Sequence, residues 1–221
     1  MVFGVPDRDR FWTQAFGRAL ISVWVDRLIA FVAIIPFAYS LRHEMKTFGF
    51  NPAWIVANAN FILLVLAMLI RRPPTRVTAN PFYWALALVA TYWLFVVGRL
   101  ATPGTVVAPA SFIYSISCAS FVVSVWARIS LGRSIGLVPA QRQLVSTGAY
   151  RYMRHPIYTG VYFAYLALAL QNFSLVNATI FGIGAALFVI KSFVEENFLR
   201  LDPAYAGYMR DVPWRWLPHV L

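Results

Sequence analysis

Four apolar runs, at about 20–40, 53–70, 82–100 and 109–129, are each near the length needed to cross a bilayer. A chain carrying them in succession must pack them against one another or leave them in lipid, where only structures that satisfy their own backbone hydrogen bonds survive. With 60% hydrophobic and only 12% charged residues, the 221-residue chain sits far from the soluble average of about 25% charged. The expected fold class is all-α: a polytopic membrane bundle of about six helices. Pro52, Pro81 and Pro109 each precede or open one of these runs, where the missing N–H costs little.

Before the first run, residues 8–24 place Phe11, Trp12, Ala15, Phe16, Ala19, Leu20, Val23 and Trp24 on one helical face. That spacing predicts an interfacial amphipathic helix leading into span one. Asp7, Asp9 and the neighbouring arginines argue against a removable signal peptide, since no short apolar core ends in a small-residue cleavage site. After a polar stretch at 130–155, apolar sequence runs from Pro156 to Leu170, breaks at "QNFS" and resumes from Leu175 to Ile190. Two short pieces with a short break predict a helical hairpin, which completes six spans.

A formal charge of +11 would point to nucleic acid in a soluble domain. Here the positive-inside rule is the better account, and no nucleic-acid partner is expected. With six crossings, the N-terminus, the 71–81 loop, the 130–155 loop and the C-terminus share one side. That side gathers most of the Lys and Arg, among them Arg71, Arg72, Arg142, Arg154 and Arg215, against only Arg42, Lys46 and Arg99 opposite. Both termini are therefore expected in the cytoplasm. Residues 1–129 read as the amphipathic helix and four spans, and 130–221 as the functional core with its hairpin and tail. Cys118 is the lone cysteine, and His43, His155 and His219 are far apart, so neither a disulfide framework nor a metal site is expected.

Two polar clusters flank the hairpin: "GAYRYMRHPIYTG" at 148–160, and the stretch from Lys191 that holds Glu195 and Glu196. A hairpin returns its ends to one face of the membrane, so the clusters should meet. Pro156 biases His155 away from helical geometry, which puts Arg154 and His155 in a turn at a helix N-terminus. Paired carboxylates at the end of an apolar helix are costly unless they face a partner or a cavity. Lys191 stands four residues before Glu195, at helical ion-pair spacing. A carboxylate pair opposite an arginine–histidine turn makes a zwitterionic pocket suited to an amino-acid-like cofactor. Simpler roles compete: Arg151 and Arg154 snorkelling to headgroups, the tyrosines as an interfacial belt, Glu195 and Lys191 as a solvated pair.

The ordered set "GAYRYMRHPIYTG", "EEN" and "YAGYMRDVPWRWLP" resembles the isoprenylcysteine carboxyl methyltransferase family and its integral-membrane phospholipid methyltransferase relatives. "LGRSIG" and "LVSTG" also look like this family, and the resemblance covers residues 128–221. It implies an S-adenosylmethionine cofactor on the cytoplasmic face, bounded by Leu144, Val145, Gly148 and Tyr150, and by His155, Pro156, Tyr158 and Glu196. It implies catalytic roles for Arg154, Glu195 and Glu196, and acceptor contacts from Lys191, Tyr205 and Tyr208. Lys191 stands where the family often has an arginine, and Asp202-Pro203 replaces an expected Phe-Gly turn. The expected activity is methylation of a lipophilic acceptor drawn from the bilayer. A carboxylate acceptor needs only alignment and a cation such as Arg154. An amine such as phosphatidylethanolamine needs a base, for which Glu195, Glu196 or His155 is placed. Two other classes compete: an NADPH-dependent sterol-type reductase, and a non-catalytic lipid-binding protein.

Overall fold

The computed structural model describes residues 42, 46, 52–72, 74, 76–78 and 80–220. The amphipathic segment at 8–24 and the run at 20–40 lie outside these. Among the described residues the order is α1 (Pro52–Ile70), β1 (Arg76–Val77), α2 (Pro81–Leu100), α3 (Ala110–Leu131), β2 (Ala140–Gln141), α4 (Pro156–Gln171), α5 (Leu175–Leu199) and α6 (Pro203–Asp211), with 3-10 turns at Gly132–Ser134 and Gly148–Arg151.

The helix starts follow local chemistry. Asn80 accepts from the Phe82 amide at 2.9 Å, Ser174 from Asn177 at 3.1 Å and Asp202 from Ala204 at 2.9 Å, each supplying an acceptor for an orphan N–H of the first turn. Proline opens α2, α4 and α6. Among the described residues two helices are long and apolar enough to cross a membrane, Ala110–Ser134 with its trailing turn and Leu175–Leu199, and Asn58–Ile70 and Pro81–Val97 are shorter apolar helices. Their outer faces stay apolar where exposed: Val122 is 63% exposed, Ile129 74% and Leu175 81%. In water such a surface would aggregate; in lipid it is solvated.

Helix α3 meets α4 along a face of small residues, Ser117, Ser120, Ser124 and Ala127. Ser120 Oγ donates to the Gly160 carbonyl at 2.7 Å, and a Cβ on Gly160 would run into Ser124 Oγ. Small residues let two backbones approach where lipid supplies no hydrophobic drive for association. Tyr165, Leu168, Ile180, Phe181 and Phe188 fill the space between α4 and α5.

The hairpin break is a buried amide knot. Asn177, fully buried, donates to Thr102 O at 2.8 Å and Asn172 O at 2.7 Å and accepts from the Thr102 amide at 2.9 Å. The break is where the apolar pattern placed it. Helix α5, though, runs nine residues past Ile190, to Leu199. Lys191 and Glu195 fall on one face of that extension, at the helical spacing expected of them, and the paired glutamates stand in the last turns of the helix. At the same end of the bundle β1 and β2 form a two-residue antiparallel pair, Arg76 opposite Gln141 and Val77 opposite Ala140, a small departure from an all-helical fold.

Candidate active site

The hairpin does bring its flanking clusters together. Arg154 Nε donates to Glu196 Oε1 at 2.8 Å, and His155 Nε2 stands 3.1 Å from the same oxygen. Arg215 Nε donates to Glu196 Oε2 at 2.9 Å, so both carboxylate oxygens are engaged. Tyr158 Oη donates to Glu195 Oε2 at 2.6 Å, while Lys191 Nζ lies 3.9 Å from Glu195 Oε1 and 3.2 Å from Thr91 Oγ1. The His155 ring stacks on Tyr158 with centroids 5.1 Å apart and planes at 9°.

The two adjacent glutamates have different roles. Consecutive helical side chains diverge by about 100°. Glu195 lines a cavity of about 250 Å³, and Glu196 stands behind its wall, accepting from the Arg154 and Arg215 guanidinium groups with the His155 ring beside it. The turn is held from a second direction by the C-terminal segment. The Arg154 and His155 amides donate to Trp214 O at 2.9 Å and Arg215 O at 2.8 Å. Arg154 Nη1 reaches Val212 O at 3.0 Å, and Tyr208 Oη donates to Tyr150 O at 2.7 Å.

Of the residues singled out in the sequence, Leu144, Val145, Tyr150, Arg154, His155 and Tyr158 line the cavity. So do Lys191, Glu195, Tyr205 and Tyr208. Gly148, Pro156 and Glu196 do not. Gly148 has φ +60° and sits so close to Ser130 that a Cβ there would strike its Oγ, which accepts the Ala149 amide at 3.0 Å. It shapes the turn that presents Tyr150. Pro156 is buried at the first position of α4 and starts the helix.

The cavity has a polar end and an apolar arm. The polar end holds His155, Glu195, Lys191 and Arg142. The arm follows the α4 stripe Tyr158, Val161, Ala164, Tyr165 and Leu168, which covers about 15 Å at the helical rise, and is closed opposite by Phe61, Leu94 and Phe188. Burial lowers the Arg142 guanidinium from 12.5 to about 10, with the Glu195 carboxylate opposing, so it stays charged at neutral pH. Burial pushes the Tyr150, Tyr205 and Tyr208 hydroxyls above their ordinary value, which keeps them neutral.

Three contributors escaped the sequence reading. Arg142 registered only as one loop arginine among several. Arg215 counted only toward charge asymmetry, although its place between Trp214 and Trp216 was a signal of packing. Arg128, bonded to Asn60 Oδ1 and O at 3.1 Å, ties α3 to α1 beside the cavity, and nothing in its local sequence marks it.

The phospholipid methyltransferase family model matches residues 105–202, a little under half of the chain, from the loop before α3 to the residue before α6. No curated protein matches the chain.

Proposed function

From the membership of residues 105–202 in the isoprenylcysteine carboxyl methyltransferase-like group of membrane methyltransferases, we propose that this protein is an S-adenosylmethionine-dependent methyltransferase of the membrane, acting on a lipophilic acceptor at the cytoplasmic face. The observation that carries the reading is the cavity itself. Its lining combines the Glu195 and Asp202 carboxylates, the basic side chains of Arg128, Arg142, Arg154 and Lys191 and an aromatic wall with an apolar stripe running along α4.

The residues present fit the cofactor's chemistry. S-adenosylmethionine, when bound, supplies a methyl group made electrophilic by its sulfonium. Glu195 is the carboxylate available to its ammonium, Arg142 and Lys191 are the cations available to its carboxylate, and Tyr150, Tyr205 and Val145 offer the apolar and aromatic surface a nucleobase needs. Tyr158 orients Glu195 through its 2.6 Å hydrogen bond. The C-terminal segment, bonded along 154–155, covers the turn and helps exclude water, so the protein's contribution is positioning and desolvation.

The acceptor's hydrocarbon part belongs in the arm beside Val161, Ala164 and Leu168, which places its reacting head near Glu195 and Lys191. An isoprenylcysteine-type carboxylate is held there by a cation and needs no base. A phosphatidylethanolamine amine is the second reading, favoured by the description of the matched family, and Glu195 is then the group placed to take the proton.

Calorimetric titration of S-adenosylhomocysteine into detergent-purified protein tests the proposal, with Glu195→Gln and His155→Ala alongside. Micromolar binding weakened at least tenfold in both variants supports it. No binding by folded wild type, with NADPH binding instead, replaces it with the reductase. Transfer of radiolabelled methyl to a farnesylcysteine analogue or to phosphatidylethanolamine then separates the acceptors.

A further inference from the structure

Outside the cavity, one surface shows a charge imbalance that methyl transfer does not use. From Glu44 to Glu195 the sequence contains no Asp or Glu. Arg72, Arg76 and Arg133 all fall in that interval, on two loops more than fifty residues apart in sequence. The fold locks the loops together. The Arg72 amide donates to Arg133 O at 2.8 Å, and Arg133 Nε donates to Ile70 O at 2.9 Å. Arg72 Nη1 donates to Gln143 Oε1 at 2.7 Å, and β1 pairs with β2 at Arg76 and Gln141. The positive-inside rule explains why these arginines share a side, not why they are pinned into one strap.

Arg72, Arg76 and Arg133 are exposed, and among the described residues no carboxylate lies within 4.0 Å of any of them. Exposed apolar residues adjoin them: Ile70 at 61%, whose carbonyl accepts from Arg133, and Leu144 at 37%, which follows the Gln143 bonded to Arg72. Guanidinium groups beside exposed hydrocarbon match the headgroup boundary of a bilayer, where phosphate and acyl chain meet. An RNA or an acidic protein would match the charge and leave the apolar rim in water.

We propose that the strap formed by Arg72, Arg76 and Arg133 is a binding surface for the headgroup of an anionic phospholipid, separate from the methyl-transfer cavity. Residues 134–145 form a wall of the cavity on their other side. A lipid phosphate on the strap would therefore brace that wall from outside without touching cofactor or acceptor. The proposal does not depend on what is methylated.

The test is native mass spectrometry of the full chain in neutral detergent, titrated with phosphatidylglycerol or phosphatidylcholine. Each basic side chain near an anionic headgroup contributes about fivefold, so the Arg72→Gln/Arg76→Gln/Arg133→Gln variant is expected to lose at least tenfold in phosphatidylglycerol affinity. Phosphatidylcholine binding should not change. The control is Arg151→Gln/Arg200→Gln/Arg210→Gln, three exposed arginines elsewhere on the polar side, expected within about threefold of wild type. Equal losses in the two triple variants would reduce the effect to general surface charge and overturn the proposal. So would displacement of phosphatidylglycerol by inorganic phosphate at equal concentration, which would make the occupant a soluble anion. Should the strap variant fail to fold, Arg76→Glu serves alone, because Arg76 is paired in the strap through its backbone. A loss of about fivefold or more is then expected, and unchanged affinity overturns the proposal.

Discussion

Replacing Glu196 by alanine removes the one group that Arg154, His155 and Arg215 share, and the structure sets the size of the loss. The Arg154 and Glu196 side chains are 6% and 4% exposed, so the alanine variant leaves a buried guanidinium with only the Val212 and Met209 carbonyls as Nη1 acceptors. Breaking a buried ion pair from one side costs about 3–5 kcal/mol. Arg215 adds little, because its side chain is 32% exposed and can turn to water. For a chain of this length the total corresponds to a fall in Tm on the order of 10 °C. Glu196→Gln should lose less, about 1–3 kcal/mol, since the retained carbonyl oxygen can still serve Arg154 and His155 while the new amide faces the more exposed Arg215. Glu195→Gln keeps an acceptor for Tyr158 and should stay within about 1 kcal/mol of wild type. Thermal melts in one detergent, run beside S-adenosylhomocysteine titrations, measure both effects. The expected pattern is opposite: Glu196→Ala mainly melts earlier, and Glu195→Gln mainly loses ligand. A Glu196→Ala protein that melts like wild type yet no longer binds ligand would refute the reasoning, because Glu196 would then be a ligand contact and not a strut.

Other consequences follow from the same geometry. Gly160→Ala puts a methyl group into Ser124 Oγ and the Ser120 carbonyl, and should cost about 1–3 kcal/mol by thermal melt, partly recovered in the Gly160→Ala/Ser124→Ala double variant. Deleting the chain after Asp211 removes the carbonyls of Val212, Trp214 and Arg215 from the Arg154–His155 turn, and S-adenosylhomocysteine affinity should fall at least about tenfold, an effect calorimetry would read. The raised pKa values of buried Tyr150 and Tyr208 and half-buried Tyr205 fix a pH dependence. The folded chain keeps these protons where the unfolded chain releases them. Their contribution is therefore complete below about pH 10 and lost as the pH rises above it. Melts across that range should show the fall, and Tyr208→Phe should show less of it.

Much of this protein is local enough to read from its sequence. Apolar runs, prolines at helix starts, and capping residues such as Asn80, Ser174 and Asp202 act within one turn of the chain, and the observed helices begin where those signals stand. The meeting of Arg154 with Glu196 was also legible, because a hairpin broken at Asn172 has one way to return its ends. The end of α5 was less so: the apolar run closes at Ile190, while the helix goes on to Leu199 with Lys191 and Glu195 on one face.

What tertiary structure alone decided are the distinctions that depend on direction and on distant backbone. Sequence presents Glu195 and Glu196 as equals. Packing turns one toward the cavity and locks the other among Arg154, His155 and Arg215, because neighbouring side chains on a helix point about 100° apart and only the surroundings say which way is in. The roles of Arg142, Arg215 and the carbonyls at 212–216 are likewise unreadable in one dimension. A backbone carbonyl carries no residue code, and an arginine's partner sixty residues away leaves no mark beside it.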